Sequence, residues 1–101
     1  MAIDLFCYVS KPSADVQAAV NLMANQHQDL FSSRFLISRV SEANQAHKEI
    51  ALEHGLDAKC VFLVRLNDKS AAELLTSVEA IIKSALGDDS VVILFDNEIR
   101  R

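Results

Sequence analysis

The chain alternates between short runs dominated by apolar residues and longer stretches in which apolar positions recur every three or four residues. The first run, Ile3 to Val9, is interrupted by Asp4 alone and reads as a strand. Ser10-Lys11-Pro12-Ser13 stops it, because Pro12 lacks an N–H and has a fixed φ that suits a helix entry. Ser13 can accept from the first free N–H groups of that helix, and Asp15 complements the positive end of its dipole. From there to about Phe31, the positions Val16, Ala19, Val20, Met23, Leu30 and Phe31 form one helical face, with His27 in its middle. The opposite side carries Gln17, Asn21, Asn25 and Gln28, a stripe of amides rather than charges.

Phe35 to Val40 reads as a second strand, placed at a sheet edge because Arg39 would not sit easily in a buried centre. Ser41 is the expected cap of a second helix running through Ala46 and Ile50 to His54, with Gly55-Leu56 as a left-handed stop. Leu52 falls on its polar side. In the third strand, Cys60 to Leu66, the residues Cys60, Phe62, Val64 and Leu66 point one way and Val61, Leu63 and Arg65 the other. Ser70-Ala-Ala-Glu73 has the spacing of a capping box. It opens a third helix with the cleanest apolar face in the chain, ended by Gly87. Val91 to Phe95 forms a fourth strand.

These elements predict one α/β domain spanning residues 1–101, four short strands alternating with three helices (βαβαβαβ). Each strand-to-strand passage is long enough for a crossover helix, so a mostly parallel sheet is expected. The first and fourth strands, nearly all apolar, are expected toward its centre. The alternative is a ferredoxin-like antiparallel α+β sheet, which calls for a hairpin where residues 42–55 look helical.

Composition narrows the function. The net charge is −4, and the longest basic run is Arg100-Arg101; neither a nucleic-acid nor an anionic-membrane partner is expected. Cys7 and Cys60 lie in apolar runs without a Cys-x-x-Cys or Cys/His cluster, and read as buried free thiols. No stretch is long enough to span a bilayer and no signal-peptide pattern opens the chain, so a cytoplasmic protein is expected.

A parallel sheet would gather ligands beyond its strand carboxyl ends. That rim carries Ser10, Lys11 and Ser13; Ser41, Glu42 and Asn44; Asn67, Asp68 and Lys69; and Asp96, Asn97 and Glu98. The same residue types are ordinary turn and cap residues. No Gly-rich phosphate loop, dithiol or Gly-x-Ser-x-Gly elbow is present. No metal site or cofactor is expected either. His47 and His54, seven residues apart on one helix, cannot share a metal; with His27 they read as partly buried imidazoles, or as a pH sensor. Arg39 and Arg65 lie near the ends of two strands and read as edge charges, or as an anion clamp.

The reading that follows is a non-enzymatic protein-binding module. Amides offer donors and acceptors without the cost of desolvating a charge. The expected contact residues are Asp68, Asp96 and Glu98 at the rim and Gln17, Asn21, Asn25 and Gln28 on the first helix. The profile is similar to that of small acidic immunity proteins and antitoxins, which neutralise basic toxins by covering them; the similarity rests on no motif. A small-ligand or enzymatic domain using Lys11 with Asp68 or Asp96 is the alternative, and homo-oligomerisation through strand edges stays open.

Overall fold

A computed structural model describes residues 3–31, 35–66, 74–95 and 99–100. Its elements in chain order are β1 (Ile3–Val9), α1 (Ser13–Gln26), α2 (Gln28–Phe31), β2 (Phe35–Ile37), β3 (Ser41–Glu42), α3 (Gln45–Glu53), β4 (Cys60–Leu66), α4 (Leu75–Leu86), β5 (Val91–Phe95) and β6 (Ile99–Arg100). The strands share one sheet in the order β2-β4-β1-β5-β6, with β3 also pairing to β4. Every pairing is antiparallel.

The expected mostly parallel sheet is therefore corrected to an antiparallel one. Connection length misled because it does not say which strand lies next door. α1 does join two parallel strands, β1 and β2, but β4 lies between them; α4 joins β4 and β5 with β1 between. Both are split βαβ crossovers. α3 joins β3 to its antiparallel neighbour β4, where a tight turn would suffice. The ferredoxin-like alternative has these strand directions, and the helix that counted against it sits within the hairpin connection.

The edge strand is one strand with a bulge. Phe35 and Ile37 face Leu66 and Val64, whereas Ser41 and Glu42 face Val61 and Cys60. The register has slipped by one residue between the two pairs. Ser38 spans the slip: its N–H donates to Leu63 O at 2.8 Å, and its hydroxyl accepts from Leu63 N–H at 2.8 Å.

One sheet face carries Leu5, Cys7 and Val9, Phe62 and Val64, and Ile93, covered by Val16, Val20 and Met23 of α1 and by Val78, Ile82 and Leu86 of α4. The other face packs Tyr8, Val61 and Val92 beneath Ala51, Leu56 and Ala58. The nine residues of α3 span about 14 Å, and among the described residues no element roofs the Asp4, Phe6, Leu63 and Arg65 end of that face.

Helix ends depart from expectation in three places. α1 stops at Gln26, and His27 begins a separate turn whose Leu30 and Phe31 N–H groups donate to His27 O. Ser13 does not cap α1, since its hydroxyl donates to Glu42 Oε1 at 2.9 Å. Asn44, rather than Ser41, caps α3. Gly55 (φ 78°) and Gly87 (φ 94°) end their helices in the left-handed region, as expected. The Ser70–Glu73 capping box lies outside the described residues.

Candidate interaction surfaces

Antiparallel strands divide the expected rim between opposite ends of the sheet. β1 ends at Val9, beside Cys60 and Val91, whereas Leu66 and Phe95, the last residues of β4 and β5, lie beside Ile3 and Leu5. Seven residues of strand separate the two ends, about 20 Å. Asp68, Asp96 and Glu98 lie outside the described residues. The Lys11 ammonium lies 3.7 Å from where a Gly87 Cβ would stand, at the carboxyl end of α4 where a cation is favoured. Ser10 N–H donates to Ser90 O at 2.9 Å. The Ser10 backbone bond ties the turn after α4 to the start of α1, and the Ser13–Glu42 bond ties β3 to it; among the described residues these groups face different neighbours.

The amide stripe is paired with itself. Gln17 Nε2 donates to Asn21 Oδ1 at 3.0 Å, and Gln28 Nε2 donates to Asn25 Oδ1 at 2.9 Å. Gln17 Oε1 also accepts from Val40 N–H at 3.0 Å, which ties α1 to the edge strand just past its bulge. Asn21, Asn25 and Gln28 remain exposed. Gln17 is structural as well as superficial, a long-range use that a helical wheel does not display.

The histidines mark helix ends. His27 breaks the first helix and lines an open groove of about 460 Å³ between α1 and α4. His54 ends α3. His47 completes the α3 capping box: its N–H donates to Asn44 Oδ1 at 2.9 Å and its Nδ1 accepts from Asn44 N–H at 3.2 Å. The acceptor role requires Nδ1 unprotonated, with the proton on Nε2. Its ring lies 6.1 Å from that of Tyr8.

The two arginines do not form a clamp. Arg39 lines the groove between α1 and β2. Arg65, on the unroofed face, is held in a fork by Asp4, with Nε to Oδ1 at 2.8 Å and Nη2 to Oδ2 at 3.2 Å. β4 is an interior strand, so the edge explanation also fails for Arg65; open solvent and the Asp4 partner make its charge acceptable there. Both cysteines are free and buried. Burial, helped by the Glu79 charge, holds Cys7 well above the ordinary thiol value; burial and the nearby Glu42 charge push Cys60 up to about 11. Neither suits a thiolate nucleophile near neutrality.

What sequence patterning missed is the unroofed half of the second sheet face. Phe6 and Leu63 sit opposite each other on β1 and β4, both half-buried. Leu36, 48% exposed, pairs with Arg65 on the neighbouring strand. Two open hollows meet there, sharing Ser38 and Leu63, of about 160 and 300 Å³. An antiparallel sheet face left to water normally turns polar residues outward. Here apolar side chains cross three adjacent strands, rimmed by Asp4, Arg65 and His47. The arrangement suits contact with another protein surface. Among the described residues, no three His, Cys, Asp or Glu side chains gather as metal ligands.

Comparison with known proteins bears on the same point. The family described as CDI System Immunity Component matches residues 1–99. The chain belongs to this immunity family. It is 46% identical over 101 residues to Immunity protein CdiI-2 of Burkholderia pseudomallei (strain 1026b), covering 100% of both chains. Its fold matches a chain of the CdiA-CT/CdiI toxin and immunity complex from Burkholderia pseudomallei with a TM-score of 0.94 and 44% identity, over 97% of this chain and 95% of that one. The immunity-type binding module expected from the acidic, loop-poor profile agrees with this membership. For a CDI immunity component, the exposed features described above become candidate contacts with a protein.

Proposed function

We propose that this chain neutralises a CdiA-CT-type toxin by binding it directly in the cytoplasm, without catalysis. The observation that carries the reading is the nearly full-length likeness to a chain solved in a toxin and immunity complex. The net charge of −4 favours a basic toxin surface, which the acidic chain would attract and orient on approach. The exposed amides Asn21, Asn25 and Gln28, with the acidic Asp68, Asp96 and Glu98, are proposed contacts. Gln17 serves them indirectly, by fixing α1 to the edge strand. Both charge steering and amide contacts fit a partner that is polar at its rim.

The test is titrated protection. Cells expressing the CdiA-CT toxin domain from the chain's own genome are given increasing amounts of the chain, and growth is scored against the molar ratio. Direct neutralisation expects protection only near one chain per toxin, with an equimolar complex on gel filtration and association that slows as salt rises. Protection at a small fraction of that ratio would overturn the binding reading in favour of an enzymatic one. Failure to protect at any ratio would overturn both.

A further inference from the structure

We infer that the toxin docks on the unroofed half of the second sheet face, with an apolar side chain between Phe6, Leu36 and Leu63 and a hydrogen-bond acceptor at Arg65. The inference rests on the immunity reading and assigns it a surface. Among the described residues, one sheet face is covered by α1 and α4, whereas the other packs Tyr8, Val61, Val92 and Leu94 with Ala51 of α3 and with Leu56 and Ala58 beyond it, and leaves Leu36 and Arg65 exposed. In that open part Leu36 stands exposed on the edge strand, beside half-buried Phe6 and Leu63 on interior strands.

Its hydrogen-bonding capacity points to a protein segment. The Asp4 fork engages Nε and Nη2 of Arg65, which leaves the N–H groups of Nη1 and one of Nη2 directed elsewhere. The ion pair makes this spot neutral within an acidic chain, yet the groups still on offer are donors. The complementary surface therefore presents a carboxylate or backbone carbonyl beside an apolar side chain. Asp4 also holds the guanidinium still, so little side-chain freedom is lost on contact.

Size and shape favour a toxin over a second copy. Three strands about 4.8 Å apart and four residues of about 3.3 Å give an open area on the order of 200 Å². A stable interface takes roughly 800 Å² per partner, so this face is the apolar centre of a larger contact. α3 stands along one side as a wall, with His47 at the hollow that also holds Phe6 and Leu63. A protruding segment that enters this recess and laps onto the wall fits better than a flat copy of the same face. A toxin partner is also the one with which a chain of this fold has been solved.

The experiment uses the full chain and the CdiA-CT domain from its own genome. Leu36→Asp and Arg65→Ala are compared with Ser77→Ala by calorimetric titration, after circular dichroism confirms folding. The docking face expects each of the first two to weaken binding at least 10-fold and Ser77→Ala, an exposed position on α4 behind the opposite sheet face, to leave it within 2-fold. Hydrogen exchange on the wild-type complex needs no variant, and expects toxin-dependent slowing within residues 35–38 and 63–65. Unchanged binding by Leu36→Asp and Arg65→Ala, or unchanged exchange in those segments, overturns the docking face and leaves the immunity reading standing. A wild-type dimer that Leu36→Asp dissociates without loss of toxin binding assigns the face to a second copy, and also overturns it. Wild-type protein that binds no toxin overturns both.

Discussion

Replacing Gln17 with Met tests whether one side chain of the amide stripe holds the edge strand in place. Gln17 Oε1 accepts from Val40 N–H at 3.0 Å, and Val40 is buried at 9% exposure. Met keeps the length and nearly the helix propensity of Gln, so the substitution removes the acceptor and, at the exposed surface where water replaces it, the Nε2 bond to Asn21. A buried N–H left without a partner costs about 1–3 kcal/mol. Partial access of water to this site favours the lower half, about 1.5 kcal/mol. For a chain of 101 residues, that corresponds to a fall in Tm of roughly 6–12 °C. Gln17→Glu keeps an acceptor oxygen and should hold stability within about 0.5 kcal/mol. Urea unfolding followed by circular dichroism gives both values, and amide exchange at Val40 reports the bond itself. The reasoning fails if Gln17→Met unfolds with the wild type, or if Gln17→Glu falls as far as Gln17→Met.

Three further outcomes are expected. Gly87→Ala must hold φ near 94° with a Cβ 3.4 Å from Ser90 Oγ; a loss of about 1–2 kcal/mol is expected, and an unchanged melting curve would contradict the left-handed assignment. His47→Ala removes one half of the α3 capping box and should cost about 1 kcal/mol, whereas His47→Gln, the usual partner type, should recover most of it; equal losses in thermal melts would count against the box. Cys60 is raised from its ordinary 9.0 to about 11 by burial, with the Glu42 charge adding to it. Its neutral form is thus favoured by folding. That contribution is fully present below pH 9.0 and is lost as pH rises through about 11. Urea midpoints between pH 8 and 11 should decline with the wild type and decline less with Cys60→Ala; parallel declines would remove Cys60 as a cause.

Much of the local structure was legible because it depends on neighbours in the chain. The alternation in Cys60–Leu66 alone sorts Phe62 and Val64 from Val61, Leu63 and Arg65, and the two sheet faces hold that sorting. Arg39 put its strand at the edge, where it lies. Gly55 and Gly87 marked helix ends through a backbone conformation that other residues rarely adopt. Strand direction was not legible, because a helix of ordinary length can return the chain to a parallel strand two places away or to an antiparallel one beside it. The capping of α3 was displaced because Ser41 and Asn44 are both good caps, and pairing of Ser41 with β4 decided between them. For the site, composition pointed to the class of function. It could not separate Phe6 and Leu63 from buried strand residues, since their exposure depends on where α3 stops.

The placement of the proposed contacts bears on how an immunity protein can act without delay. Phe6 and Leu63 belong to β1 and β4, interior strands paired on both sides, and Arg65 is held in its rotamer by Asp4. Such groups keep their positions before a partner arrives, so little of the interaction energy goes into ordering them. Leu36 differs, for it lies on the edge strand beside the bulge. That strand is fixed from one side by Ser38 to Leu63 and beyond the bulge by Gln17 to Val40. Gln17 is thus coupled to the sheet face although it lies on the layer of helices behind it. A Gln17→Met chain that is still folded should present a looser Leu36, and the loss in toxin affinity should exceed that of Asn21→Ala, its hydrogen-bonded neighbour on the same helix. Equal effects of the two would mean that Gln17 acts as one more contact of the amide stripe and not through the edge strand it holds.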